Sequence, residues 1–362
     1  MARLQLPSAD QIPGGRAWAS LSRRVRTLIV SGILFIVLFV LVFTLPVPYV
    51  VLTPGPTCNT LGSCYGQQII KISGTKVNKT SGNLNLTTVG VSGGTPTPFD
   101  VVKAWLAGDQ VVAPRSAVYP PDKSQQQTDR QNTQEFVVSQ DSAKVAALCE
   151  LGYPKAFGVV SVSADGPSKG VLQTGDQLKS VDGRPANNAD LLAALLKTES
   201  AGHRATVVVT RHSKPTTVQV TLAAAPKGKQ GARFGIEVST TCLAPFSIDL
   251  GLANQIGGPS AGLMFALGIM DKIGSQDLTK GRFVAGTGTI DAEGKVGPIG
   301  GIPLKMIAAR DKGASVFLAP GGNCKDVRNA TPAGLKVVKV ETLHGAVQDL
   351  LKIEKGEAVP GC

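Results

Sequence analysis

Nineteen consecutive uncharged residues, TLIVSGILFIVLFVLVFTL from Thr27 to Leu45, constrain this chain more than any other stretch. Wound as a helix at 1.5 Å per residue they reach about 28 Å, close to the roughly 30 Å hydrocarbon core of a bilayer. Pro46 and Pro48 stop such a helix, because proline lacks the N–H and its ring clashes with the preceding turn. Arg23, Arg24 and Arg26 precede the run, and the next Lys or Arg after it is Lys71. Basic flanks stay on the cytoplasmic side. The sequence therefore predicts a cytoplasmic tail over 1–26, a transmembrane helix over 27–46, and the rest of the chain outside. That makes a single-pass cell-membrane protein, in contact with the lipid bilayer through residues 27–46. The alternative is a cleaved signal peptide. Against it, the run exceeds the usual apolar core of about 7–15 residues and no A-x-A site follows.

Of 362 residues, 43% are hydrophobic and 17% charged, enough for two or three domains with real cores. The net charge of +12 suggests an anionic partner at first sight. Residues 1–26 hold five Arg and one Asp, and the remaining excess is dispersed, with no Lys/Arg run to grip phosphates. With aromatics at 5% there is also little to stack on bases, so no nucleic acid is expected. Six cysteines suit an oxidising exterior. Cys58 and Cys64 bracket a short loop and can bridge. For Cys149, Cys242, Cys324 and Cys362 the pairing is not readable, and buried thiols are the alternative. No C-x-x-C pair or His cluster points to a metal, and no cofactor is expected.

Residues 49–107 read as strands, with QIIKIS (68–73) and LNLTTVGVS (84–92) the clearest. Residues 108–135, holding Pro120-Pro121 and a glutamine-rich tract, read as loop or linker. A helix follows over about 142–151, ending at Gly152. FGVVSVS (157–163) reads as a strand, Asp182-Gly183 as a tight hairpin turn, NADLLAALL (188–196) as a helix with Leu191, Leu192, Leu195 and Leu196 on one side, and VVVTRH with TTVQVTL as paired strands. The stretch from Gly166 to Gly183, with Gly175-Asp176 at its centre, resembles a PDZ domain of the kind attached to bacterial proteases. That resemblance implies a peptide groove between the strand after Phe157 and the helix at 188–196, where an extended peptide adds by main-chain hydrogen bonds. A small β domain acting as a spacer is the other reading. PKGKQG (225–230) is a linker.

Two later segments carry chemistry. In QIGGPSAGLMFALGIMD (255–271), Gly257 and Gly258 free the backbone and Pro259 suits a first helical position. The helix that follows is apolar nearly all round, hence buried. It holds Ser260 in its first turn, where unsatisfied N–H groups favour a developing oxyanion. The plainer reading is a Gly-Pro-Ser turn capping a core helix. In GTGTIDAEGKVGPIGGIPLKMIAARDKGA (286–314), Pro303 starts a helix and Gly313 ends it. Lys305 falls in the first turn among Ile302, Leu304 and Ile307. A helix N-terminus and apolar neighbours both depress a lysine pKa, and a neutral amine can deprotonate a serine. A solvated surface lysine is the plainer reading.

Together, GGPSAG (257–262), Thr287-Gly288, GKVGPIGGI (294–302) and the Lys305–Ala308–Ala309–Gly313 pattern resemble the proteolytic domain of the Lon family, a Ser-Lys dyad peptidase, over about residues 234–352. The resemblance implies Ser260 as nucleophile and Lys305 as general base, supported by Thr287, Gly258 and Pro259. Thr289 and Gly257 stand where that family carries acids. No G-x-x-x-x-G-K-[ST] occurs, so no phosphate-binding loop accompanies it. The expected architecture is α+β and multidomain: the N-terminal transmembrane helix, a β-rich membrane-proximal segment and linker over 49–135, a PDZ domain over 140–225 and a Lon-type proteolytic domain over 232–354. The layout resembles bacterial membrane-anchored, PDZ-containing Lon-like peptidases. That resemblance implies an ATP-independent serine endopeptidase acting on extracytoplasmic protein or peptide substrates, and leaves a homo-oligomer open. Two other readings remain. One is an inactive PDZ/Lon-like membrane scaffold that binds peptides. The other takes Gly258–Gly262 as a G-x-S-x-G elbow with His344 and Asp326 or Glu341. A proline before the serine and too few preceding strands weigh against that second one.

Overall fold

The computed structural model describes residues 21–212, 214–252 and 256–362. Most of the 1–26 tail therefore lies outside the described residues. The chain runs through helix α1 (Arg23–Thr44), strands β1 (Tyr49–Asn59), β2 (Ile70–Ser73) and β3 (Asn83–Val91), helix α2 (Pro98–Ala107), strand β4 (Val111–Pro114) and helix α3 (Gln125–Glu150). Next come β5 (Lys155–Val162), β6 (Gln177–Val181), helix α4 (Ala189–Thr198), β7 (Arg204–Arg211), β8 (Lys214–Thr221), β9 (Ile236–Cys242) and β10 (Ser247–Leu250). The last part holds α5 (Gly262–Ile273), β11 (Phe283–Gly286), α6 (Ile302–Asp311), β12 (Val316–Pro320), β13 (Lys336–Val340) and α7 (Leu343–Glu354). These elements form two compact units. One comprises the chain up to Val51 with Val91–Val118, the other Leu52–Gly90 with Tyr119–Cys362.

In the first unit, Ser22 caps α1, accepting from the Val25 N–H. The helix ends at Thr44, with Leu45 as its cap before Pro46, and none of its residues is buried. By length and composition it is the one helix among the described residues able to cross a membrane. Residues 98–107 depart from the strand expectation for 49–107 and form α2. The cause is local: Thr97 and Asp100 form a reciprocal capping box and Pro98 occupies the first turn. Gly108, at φ +77°, closes that helix.

In the second unit the main sheet orders its strands β13-β12-β11-β3-β1. β11 pairs in parallel with β12 and with β3, and β12 with β13. The segment 49–135, separate by sequence, thus shares a sheet with the C-terminal strands. Its glutamine-rich part is no linker either. Ser124 and Gln127 form a second capping box and start α3, which runs unbroken to Glu150. α3 buries Phe136, Ala143 and Ala147, and the Phe136 ring meets Phe265 of α5 edge-on at 5.8 Å. α5 is buried from Gly262 to Lys272, as an all-round apolar helix must be. The buried Lys272 ammonium donates to the Leu61 carbonyl at 2.9 Å.

Residues 155–242 build a second sheet, ordered β8-β7-β6-β5-β9. β7 and β8 pair in full antiparallel register. The Asp182-Gly183 turn has positive φ at both residues, 48° and 74°, the geometry a tight hairpin needs. Asp176, 1% exposed, takes two hydrogen bonds from Arg211 at 2.7 and 2.6 Å. That explains an acid after Gly175. Leu192 and Leu195 of α4 are buried and Leu196 packs half-buried against them, whereas Leu191, at one margin of this face, is 40% exposed. The expected groove strand is also corrected. β5 lies between β6 and β9, so its edges are taken, and the outer strands of this sheet are β8 and β9. The Leu243 N–H donates to the Pro154 carbonyl at 3.2 Å, so this sheet leaves and rejoins the chain at one place.

All six cysteines pair: Cys58–Cys64 as expected, Cys149–Cys242 and Cys324–Cys362. The second ties the end of α3 to β9.

Candidate active site

Gly258 begins the site. Its φ of +81° is a backbone state open to glycine and costly for other residues. It turns the chain so that Pro259 and Ser260 precede α5. The sequence expected Ser260 inside the first turn; the helix begins two residues later, at Gly262. Helix α3 holds this turn from behind. The Asn132 carbonyl accepts from the Gly258 N–H at 2.8 Å, and the Ser139 hydroxyl donates to the Pro259 carbonyl at 2.8 Å. Sequence reasoning missed both residues, because it had placed Asn132 in a linker and no motif marks Ser139. The S-x-x-Q capping box was the available signal.

Lys305 arrives from the opposite side. Gly301, at φ +68°, turns the chain into α6, and an added Cβ there would meet Val89 of β3 at 2.8 Å. Pro303 sits in the first turn as expected. Lys305 is 4% exposed, which overturns the surface-lysine reading. Its Nζ lies 2.8 Å from Ser260 Oγ and 3.0 Å from Thr287 Oγ1. Thr287, fully buried, spends its hydroxyl proton on the Ser260 carbonyl at 3.0 Å, and the Gly288 N–H donates to the same oxygen at 2.8 Å. The threonine oxygen is then left to accept from the lysine. Burial lowers the Lys305 ammonium from 10.5 to about 8, since leaving water disfavours its charged form.

The structure thus brings Ser260, Lys305 and Thr287 together, with Gly258 and Pro259 shaping the turn. Ser260 and Lys305 adjoin a cleft of about 670 Å³ lined also by Thr289 and Ile256, and by Thr87, Thr88 and Val89 of β3, with Thr287 buried behind them. The β3 residues were not foreseen, since a strand two hundred positions away gives no local sign of where it pairs. His344, Asp326 and Glu341 are not among the residues lining this cleft. His344 is instead an exposed α7 residue, 2.7 Å from Glu150.

Comparison with known proteins defines the class. Residues 253–353 match the Lon protease (S16) C-terminal proteolytic domain, and residues 133–222 match the PDZ domain. The chain carries both domains, and the first supports a serine peptidase. Lon protease of Heliobacterium modesticaldum is 35% identical over 98 residues, covering 26% of this chain and 12% of that protein. Lon protease 2 of Bacillus subtilis is 33% identical over 96 residues, 26% of this chain and 17% of that protein. The chain thus spans less than a fifth of the length of these curated relatives. Among solved structures, the PDZ domain of an SdrC-like protein from Listeria innocua aligns with 22% identity and a TM-score of 0.22, covering 23% of this chain and 92% of that one.

Proposed function

We propose that this chain is a membrane-anchored serine endopeptidase that cleaves extracytoplasmic proteins with a Ser260–Lys305 dyad and no nucleotide. The observation that carries the reading is the 2.8 Å contact between Ser260 Oγ and a lysine held almost wholly out of water. A neutral amine has two protons and one lone pair. Thr287 Oγ1 accepts one proton, which leaves the lone pair for the serine hydroxyl. Lys305 takes the Ser260 proton as Oγ adds to the scissile carbonyl, then gives it to the departing amine. Water hydrolyses the acyl-enzyme by the same exchange in reverse. The N–H groups that open α5 are suited to the tetrahedral oxyanion. Anchoring rests on α1, apolar and without a buried residue, and outward topology on its arginine flank. The outer edge of β9, the strand that covers β5 in the PDZ sheet, is the proposed site for an extended substrate strand.

The test is direct. Purified protein should cleave unfolded casein and react at Ser260 with a fluorophosphonate probe, with an unchanged rate on adding ATP and Mg²⁺. Labelling absent from folded wild-type protein would leave only the scaffold reading.

A further inference from the structure

Helix α2 exposes Phe99, Val102, Trp105 and Leu106 at 44%, 53%, 76% and 71%. At 100° per residue these four and Val101 fill an arc of roughly 160°. Asp100 and Lys103 stand on the other side, and Ala104 is the buried position. Apart from Phe99, whose ring meets Phe43, this face is exposed. Two contacts fix where it stands relative to α1. The Phe43 ring, at the C-terminal end of α1, lies 4.7 Å from Phe99. The Val47 N–H, three residues beyond α1, donates to the Pro96 carbonyl at 3.0 Å. The start of α2 is thereby tied to the point at which the chain leaves α1. Tyr49, 40% exposed, follows two residues after Val47.

We infer that α2 lies in the membrane–water interface, its Phe99–Val102–Trp105–Leu106 face immersed in lipid as a second foot beside α1. The inference rests on α1 spanning a bilayer. The occupant is lipid because the face is continuous, through Phe43 and Phe99, with a helix that itself has no buried residue. An amphipathic helix with Trp, Leu and Phe on one side and charges on the other suits that position. Trp and Tyr favour the headgroup level, where an apolar ring and a polar tip are both satisfied.

The chain has two tryptophans, Trp18 and Trp105, so the full-length Trp18→Phe protein reports on Trp105 alone. In phosphatidylcholine–phosphatidylglycerol vesicles, bromine on the upper acyl carbons should cut its emission by roughly twofold or more, with little quenching by aqueous iodide. A companion protein, Trp18→Phe/Trp105→Phe/Phe39→Trp, reports on α1. Bromine quenching at position 39 without quenching at 105 would overturn the foot and leave the span intact. No quenching at either position would sink the span and the foot together. Trp105 shielded from both bromine and iodide would show that protein, such as a second copy, covers this face, and would also overturn the inference.

Discussion

In the proposed mechanism Lys305 is the residue on which the chemistry turns. A pKa of about 8 leaves roughly a tenth of it neutral at pH 7. The log of kcat/KM for a short peptide should therefore climb with unit slope below about pH 8 and level off above it. A profile flat from pH 6 to 9 would remove lysine as the base. The same burial has a stability consequence. The unfolded lysine titrates near 10.5 and the folded one near 8, so across that window the unfolded state binds the extra proton and the native protein gains stability as pH rises. Lys305→Met should thus abolish cleavage and stabilise the fold at pH 7, by an amount on the order of 1–3 kcal/mol. That gain should shrink as pH rises from 8 to 10.5, and urea melts at three pH values would read it. Thr287→Val removes the acceptor that orients the amine. Activity should fall about 10- to 100-fold with KM little changed, and Thr287→Ser should restore most of it. Glycines and prolines mark the turns around Ser260 and Lys305 in sequence, but each residue alone also reads as a helix-start serine or a surface lysine, and only the resemblance of the two segments to the Lon proteolytic domain singles them out as a pair. Their 2.8 Å contact joins two segments 45 residues apart, which spacing alone cannot supply.

At the scale of elements, α3 links the site to the rest of the fold. Its Ser139 holds the Pro259 carbonyl and its C-terminal end is bonded to β9 through Cys149–Cys242. Ser139→Ala should orphan a carbonyl in the turn that carries Ser260, lowering kcat about fivefold, an effect near 1 kcal/mol, with KM and the far-ultraviolet circular dichroism unchanged. The disulfide closes a loop of 93 residues; in the chain-entropy account such a cross-link contributes about 4–5 kcal/mol. Cys149→Ser/Cys242→Ser should therefore lower the melting temperature clearly more than Cys58→Ser/Cys64→Ser, whose loop is six residues. An equal shift would point to strain or residual structure in place of loop closure. α3 and α2 were the elements least legible in sequence. Glutamines and a mixed apolar-polar pattern resemble a linker, and only the capping boxes at Ser124 and Thr97 show that a helix begins there.

At the scale of the molecule, the PDZ sheet is an insertion whose ends meet at Pro154 and Leu243. Replacing residues 155–242 with a short Gly-Ser linker, with Cys149→Ser to avoid a stray thiol, should preserve cleavage of a short unstructured peptide. Cleavage of a folded membrane substrate should slow at least tenfold, as the loss of a separate binding site predicts. Equal loss on both substrates would make the insertion structural. The sequence by itself determined the apolar helix, the hairpin at Asp182-Gly183 and the buried α5. Each is written in local periodicity, turn chemistry or composition. Only the tertiary structure decided that β1 and β3 complete the sheet of the C-terminal domain, that β5 is an inner strand covered by β9, and how four of the six cysteines pair. Those outcomes depend on which distant strands and side chains share a core. Strand pairing across two hundred residues is settled by the whole buried surface at once, and no local stretch of sequence encodes it.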